Sequence, residues 1–302
     1  MTRAVAATVA LAPISWGTTF FVTTELLPAD RPLFSALTRA LPAGLLLLAA
    51  GHALPKGVWW GRAATIGALN TGVFFALLFI AAYRLPGGVA AVAGAIGPLV
   101  AATMAIAVLK QTPPLRSWPL GVAGVFGVAL VVLTAEAKLD LIGVAAACGG
   151  TVCMTTASVL AKRWGPPPGV NAAALAGWQL VAGGILLAPA ALLIEGAPPP
   201  LTGGNLLGYG YVITVGTAAA YWLWFRGLAE LSVVPLTFLS LLAPLTAAVV
   251  GWVALGQALT PLQLAGMAVA FGAVLAAQLP VRGKAPGLVP RRPPVSIQEG
   301  RP

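Results

Sequence analysis

Polar groups are what this 302-residue chain has least of: 8% of its residues are charged, with seven acidic residues against 17 lysines and arginines. A water-soluble globule of this length needs far more charged surface, so that class is excluded. One histidine, His52, and two cysteines, Cys148 and Cys153, complete the short list of reactive side chains. The cysteines stand five apart on one apolar helix and do not face each other, so they make neither a disulfide framework nor a metal site. His52 falls in a loop before Pro55 and Lys56, and Glu25, Asp30, Glu136, Asp140 and Glu195 fall at or beyond the ends of apolar runs. Catalysis at a membrane site wants an acid and base pair, a metal cluster or an activated nucleophile, and the runs offer almost none of these. No catalytic residue, metal or cofactor is expected, and without a Walker-type phosphate loop ATP drive within the chain is not expected either.

What the chain has instead is apolar length, with 59% hydrophobic residues and a mean hydropathy of +0.94. Ten runs stand between charged, Pro-rich or Gly-rich breaks: Ala4 to Leu27, Pro32 to Ala50, Ala63 to Ala82, Gly87 to Leu109, Trp118 to Thr134, Leu139 to Ala161, Ala172 to Ile194, Leu206 to Leu228, Val233 to Leu255 and Pro261 to Leu279. Each can cross about 30 Å of hydrocarbon as a helix, which satisfies its own backbone groups. The expected fold is an all-α polytopic membrane protein of ten transmembrane helices. The first run resembles a signal peptide but carries Trp16 and no convincing cleavage site, so it is read as a retained span.

With the N-terminus in the cytoplasm, 13 of the 17 basic residues fall on that side and three, Arg31, Arg84 and Lys138, outside, with Arg39 left inside a span. The positive-inside rule therefore predicts both termini cytoplasmic. The net charge of +10 reports topology and inner-leaflet attraction, and gives no reason to invoke nucleic acid. The expected partners are the bilayer and a small-molecule substrate; oligomeric state is left open, with a monomer sufficient. Residues 281–302 are basic and Pro-rich and are expected to form a cytoplasmic tail.

The chain also repeats itself. A slide of 146 residues brings Phe79, Pro98 and Gln111 onto Phe225, Pro244 and Gln257; a slide of 145 brings Phe126-Gly127 onto Phe271-Gly272; and a slide of 140 brings Gly44, Leu46 and Leu47 onto Gly184, Leu186 and Leu187. Five spans per half is an odd number, which turns the second half upside down. The expected division is a first five-helix repeat over residues 1–135 and a second, inverted repeat over residues 136–280. Inverted repeats give secondary transporters two interchangeable gates around a midplane site.

Several polar or aromatic residues lie within the runs. Arg39 is about 10 Å from the outer end of its span at 1.5 Å per residue. It is either a functional charge or a residue that snorkels outward or pairs with Glu25. Trp16, Gly17 and Thr18 lie mid-span, where helix packing and site lining remain equal readings. Asn70 and Phe74 share one face of the third span, Gln179 takes the place of Arg39 in the seventh, and Tyr221 lies deep in the eighth beside Trp222 and Trp224. Pro98 and Pro244 are equivalent mid-span bends, serving as hinges or as fixed kinks. The candidate substrate-binding set is thus Trp16, Gly17, Thr18, Asn70, Phe74, Gln179 and Tyr221, with Arg39, Pro98 and Pro244 as gating or hinge residues.

Trp16-Gly17-Thr18, Arg39 with the small and aliphatic run after it, the Pro98 and Pro244 spans, and the stretch Tyr221 to Leu228 resemble the EamA branch of the drug/metabolite transporter superfamily. That resemblance implies a ten-helix exporter of the bacterial inner membrane, with a central cavity and export of amino acids, aromatic ones or threonine and homoserine, or of other small metabolites. The chain departs from the small multidrug relatives in having Gly17 and Thr18 where they carry a mid-span Glu, and from phosphosugar and nucleotide-sugar relatives in having a single cavity cation. An organic-cation exporter with the same aromatic wall, and a non-transporting membrane scaffold, are the rival readings.

Overall fold

The computed structural model describes residues 2–84, 93–132, 140–256 and 259–279. The tail over 281–302, Gln257 and most of the linker between the halves lie outside the described residues. Everything described is helix, turn or connecting loop. The helices are α1 (Thr2–Leu26), α2 (Pro32–Gly51), α3 (Trp59–Gly67), α4 (Phe74–Arg84), α5 (Gly97–Ala107), α6 (Ser117–Val132) and α7 (Leu141–Trp164). They continue as α8 (Ala172–Ile194), α9 (Gly203–Ile213), α10 (Ala220–Glu230), α11 (Val233–Leu239), α12 (Leu242–Leu255) and α13 (Pro261–Gln278). Eight helical stretches among the described residues are long and apolar enough to cross a membrane, and two shorter apolar helices, Ala93–Ala107 and Ser117–Val132, accompany them.

Two of the spans contain a π-helical turn. Ala68–Val73 joins α3 to α4, and Thr214–Ala219 joins α9 to α10. The slide of 146 that aligns the halves carries one of these turns onto the other, so the irregularity was duplicated with the sequence. A π-turn bonds residue i to i+5 and widens the helix by one residue, and such turns are frequent at functional sites.

Equivalent helices of the two halves pack against each other, and α2 against α8 is the largest such contact. The two run antiparallel: Gly51 meets Ala174, Gly44 meets Leu180 and Val181, and Gly184 meets Leu41. A Cβ at Gly177 would stand 2.7 Å from the backbone nitrogen of Leu48, so glycine is required for that approach. α6 and α13 pair in the same manner through Gly127 and Gly266, with the side chain of Gln263 donating to the Val131 carbonyl at 2.9 Å. Lipid competes for apolar surface as well as a neighbouring helix does, so small residues that let backbones approach are what hold such pairs. The opposite faces carry the exposed residues Leu45 and Leu46 on α2 and their equivalents Ile185 and Leu186 on α8.

Two helix ends, the start of α2 and the end of α10, are closed by side chains from other helices. α2 begins at Pro32 with no cap of its own, and the Glu195 carboxylate, at the end of α8, accepts from the backbone nitrogens of Leu33 (2.6 Å) and Phe34 (2.8 Å). Arg31 answers by donating to the carbonyls of Glu195 and Ala197. The Lys162 ammonium donates to the carbonyls of Leu228, Ala229 and Leu231 and closes α10. At the start of α2 the orphan groups of a helix end thereby become bonds between halves.

At Pro98 and Pro244 the spans break as the missing N–H requires. Before Pro98 a turn at Ile96 opens α5, with Ile96 donating to Ala93 and Leu99 to Ile96; before Pro244 the helix tightens at Ser240 and Leu241 into bonds to Thr237 and Phe238. Every one of these bonds spans three residues instead of four.

The packing generates a test. Gly177→Val, placed against the backbone of α2, is expected to destabilise the protein by about 1–3 kcal/mol, the range for overpacking. Gly61→Ala, where no atom lies within 4 Å of the added carbon, should be neutral. Thermal unfolding in detergent would read both; equal melting temperatures for the two variants would contradict the helix pairing.

Candidate functional site

Arg39 sits seven residues into α2 and Gln179 seven residues into α8, so the antiparallel pair carries its two polar side chains to similar depths from opposite ends. Each reaches the π-turn of the other half. The Arg39 guanidinium donates from Nε to the Thr217 hydroxyl at 3.2 Å and from Nη2 to the Gly216 carbonyl at 3.4 Å. Gln179 accepts at Oε1 from Asn70 Nδ2 at 2.7 Å. Slides of 140 and 146 map Arg39 onto Gln179 and Asn70 onto Gly216, so these are two copies of one contact, one charged and one neutral. We call them latches. The charged latch bridges residues 178 apart in the chain and the neutral one residues 109 apart.

Arg39 is half-buried and lies over the Phe75 ring, 5.0 Å from its centroid. Tyr221 is the equivalent of Phe75 under the slide of 146. Among the described residues no carboxylate pairs with Arg39. Glu25 is exposed and makes no ion pair, Glu195 caps α2, Asp140 caps α7 and meets Arg84, and Glu230 meets Arg226. The alternative in which Arg39 pairs with Glu25 is therefore not what the structure contains.

Tyr221 continues into an aromatic wall. Its ring meets Trp16 edge-on at 5.9 Å between centroids, and Trp16 meets Trp224 at 5.2 Å. The Trp16 indole nitrogen is buried with no hydrogen-bond partner among the described residues, as are Gln179 Nε2 and the hydroxyls of Thr71 and Thr155. Thr18 shares a 2.5 Å hydrogen bond with the Tyr211 hydroxyl one turn before the second π-turn.

The other candidates separate by surroundings. Gly17 lies against α12, where an added Cβ would be 2.5 Å from the Ala243 carbonyl oxygen, so it serves the close crossing of α1 and α12. Phe74 stacks beside Phe75 at 5.5 Å and faces Gly150 of α7. Pro98 lies in the first turn of α5, which packs on α11 and α7, and the space beside Gly97 is bordered by the Thr155 hydroxyl at 3.8 Å and the Ser240 hydroxyl at 3.9 Å; Pro244 lies in the first turn of α12. Trp178, the residue before Gln179 in α8, donates to the Ala53 carbonyl at 2.7 Å beside Trp59, and Trp222 is exposed. Phe75, Thr217, Gly216 and Tyr211 were not among the sequence candidates. Thr71 and Thr217 match at the slide of 146, a signal that points straight at the π-turns.

Polar contacts made twice, once per half, inside an apolar helical bundle are the construction of a membrane transporter. The chain belongs to the EamA-like transporter family, whose model matches it twice, over residues 4–133 and 141–277. It is 42% identical over 267 residues to Protein PecM of Dickeya dadantii, covering 88% of this chain and 90% of that one. It is 28% identical over 271 residues to the uncharacterized inner membrane transporter YedA of Escherichia coli K12, covering 87% and 86%. A solved crystal structure shares its fold at a TM-score of 0.76 and 20% identity, covering 91% of this chain and 96% of the other. The protein is thus a multi-pass membrane protein of a transporter family with bacterial relatives.

The neutral latch is testable by itself. Asn70→Ala leaves the Gln179 amide buried without its partner and is expected to cost about 1–3 kcal/mol, the penalty of an unsatisfied buried polar group. Asn70→Ala combined with Gln179→Leu should recover part of that loss in thermal unfolding; losses that simply add would show that the two side chains do not interact.

Proposed function

We propose that the protein is a secondary transporter that exports a small amphipathic metabolite, an amino acid or a close relative, by alternating access between its two halves. The observation that carries this reading is the pair of equivalent latches on antiparallel α2 and α8. Because each latch joins one half to the π-turn of the other, each can serve as the gate on its own side of the membrane. Residues 1–135 and 136–280 then act as inverted five-helix units, with α5 and α6 completing the first set of spans and both termini in the cytoplasm. The helix breaks at Pro98 and Pro244 supply the hinges. The family membership and the antiparallel packing of equivalent helices support the arrangement.

Few polar groups in an apolar wall give such a site its selectivity. Trp16, Tyr221 and Phe75 provide faces for an apolar or aromatic side chain, and the Trp16 indole, Thr18, Asn70 and Gln179 provide the polar contacts. An organic-cation substrate fits the aromatic faces but would have to approach the Arg39 charge, which opposes it.

Counterflow in proteoliposomes with a panel of amino acids tests the substrate: exchange is expected with phenylalanine or another large apolar amino acid, and activity with organic cations alone would replace this reading with the drug-exporter one. For orientation, a C-terminal fluorescent-protein fusion is expected to fluoresce in cells and a C-terminal alkaline phosphatase fusion to be inactive. The reverse result would place the termini outside.

A further inference from the structure

The duplication supplies an internal control for Arg39. At the equivalent place in the other half, Gln179 makes the corresponding contact with a neutral amide at 2.7 Å, so joining α2 or α8 to the opposite π-turn does not require a charge. A guanidinium held within a bilayer without a counter-ion is costly, and ionisable residues kept at such a cost mark substrate or ion pathways. Among the described residues no carboxylate faces it, and its bonds to Thr217 and Gly216 go to a hydroxyl and a carbonyl, neither of which neutralises it.

We infer that Arg39 is the anchor for a carboxylate on the transported molecule, so that the substrate is a monocarboxylate joined to an apolar or aromatic group. The inference rests on the transport reading above and names the substrate chemistry of that same site. Three features fit it. The guanidinium is pinned on one edge by Thr217 and on one face by the Phe75 ring, and no hydrogen bond engages Nη1 among the described residues. A planar fork of N–H donors matches a carboxylate geometrically. Tyr221, the equivalent of the Phe75 on which the guanidinium rests, opens an aromatic wall that continues to Trp16 and Trp224 and suits the apolar part of such a molecule. A lone cation suits one carboxylate; a phosphate or a dicarboxylate would call for more. The Nη2 bond to Gly216, at 3.4 Å, is the longer of the two and is the one an entering carboxylate displaces, which couples loading of the site to release of the charged latch.

The test uses three probes with the same ring, exchanged by the full chain in vesicles of phosphatidylethanolamine and phosphatidylglycerol: L-phenylalanine, 3-phenylpropionate, which keeps the carboxylate and lacks the amine, and phenethylamine, which keeps the amine and lacks the carboxylate. The wild-type protein is expected to exchange the two carboxylates and to move phenethylamine about tenfold more slowly or worse, the scale of one charge-assisted hydrogen bond. Arg39→Gln, which copies the side chain of the other half, is expected to cut 3-phenylpropionate exchange by a similar factor, and Arg39→Lys to restore part of it. Phenethylamine exchanged as fast as 3-phenylpropionate by the wild type overturns the inference while leaving transport intact, and this comparison does not depend on any variant folding. Undiminished 3-phenylpropionate exchange by Arg39→Gln overturns it equally. If the wild type exchanges none of the three and no other amino acid, the transport reading fails and the inference fails with it.

Discussion

The antiparallel contact of α2 with α8 is the constraint on which the rest depends. It is made by glycines and alanines whose backbones approach closely, and it sets the register of everything attached to the two helices. Because the pair is antiparallel, Arg39 and Gln179 are delivered to opposite π-turns. Because the register is tight, Glu195 at the end of α8 arrives at the start of α2 and completes its first turn. A bulky residue at Gly177 or Gly184 would separate the caps and both latches at once. In lipid no hydrophobic force would restore them, since a separated apolar face is solvated by acyl chains as well as by protein.

Much of this was legible in the sequence. The apolar runs and the family resemblance follow from composition, from Pro98 and Pro244, and from the repeated Phe-Gly and Gly-x-Leu-Leu patterns. The shorter α5 is the main departure in length: the run from Gly87 to Leu109 is broken at Ile96 by the needs of Pro98, and 85–92 lie outside the described residues. The partners of Arg39 were not legible. A π-turn has no composition of its own, so nothing in the local sequence announces it. Glu195 was read only as an acid at a span end, because the helix it caps begins more than 160 residues earlier and no local pattern joins them. The Thr71 and Thr217 match was present in the alignment of the halves, yet a threonine in an apolar helix is a common packing residue and its meaning appears only with its partners.

A duplicated scaffold also shows which features are structural and which are elaborations. Positions that are small in both halves, such as Gly44 and Gly184, answer a demand of the fold that both halves share. Positions that differ report a demand made on one half only. Phe75 and Tyr221 differ by a hydroxyl, Ala63 and Tyr209 by an entire ring, and Arg39 and Gln179 by a charge. In these pairs the added hydroxyl and ring fall in the second half, on α10 and α9, and the charge falls in the first half, on α2. A site that is polar at one point and aromatic around it arises from two nearly equivalent halves only by such division.

The inequality of the latches has an energetic consequence. A neutral amide pair contributes about 0.5–1.5 kcal/mol net, while hydrogen bonds from a charged group run to about 1.5–3 kcal/mol. If each latch closes one gate, an empty protein opens more readily on the side of the weaker, neutral latch. A substrate carboxylate at Arg39 draws donors away from Gly216, weakens the stronger latch and brings the two gates toward parity. On the proposed reading, loading shifts the balance between the gates through a contact that the ligand makes better in one state than in the other. On the same reading a neutral or cationic molecule of the same shape fills the wall without that effect, so the asymmetry proposed to select the substrate is also the one proposed to let it be moved.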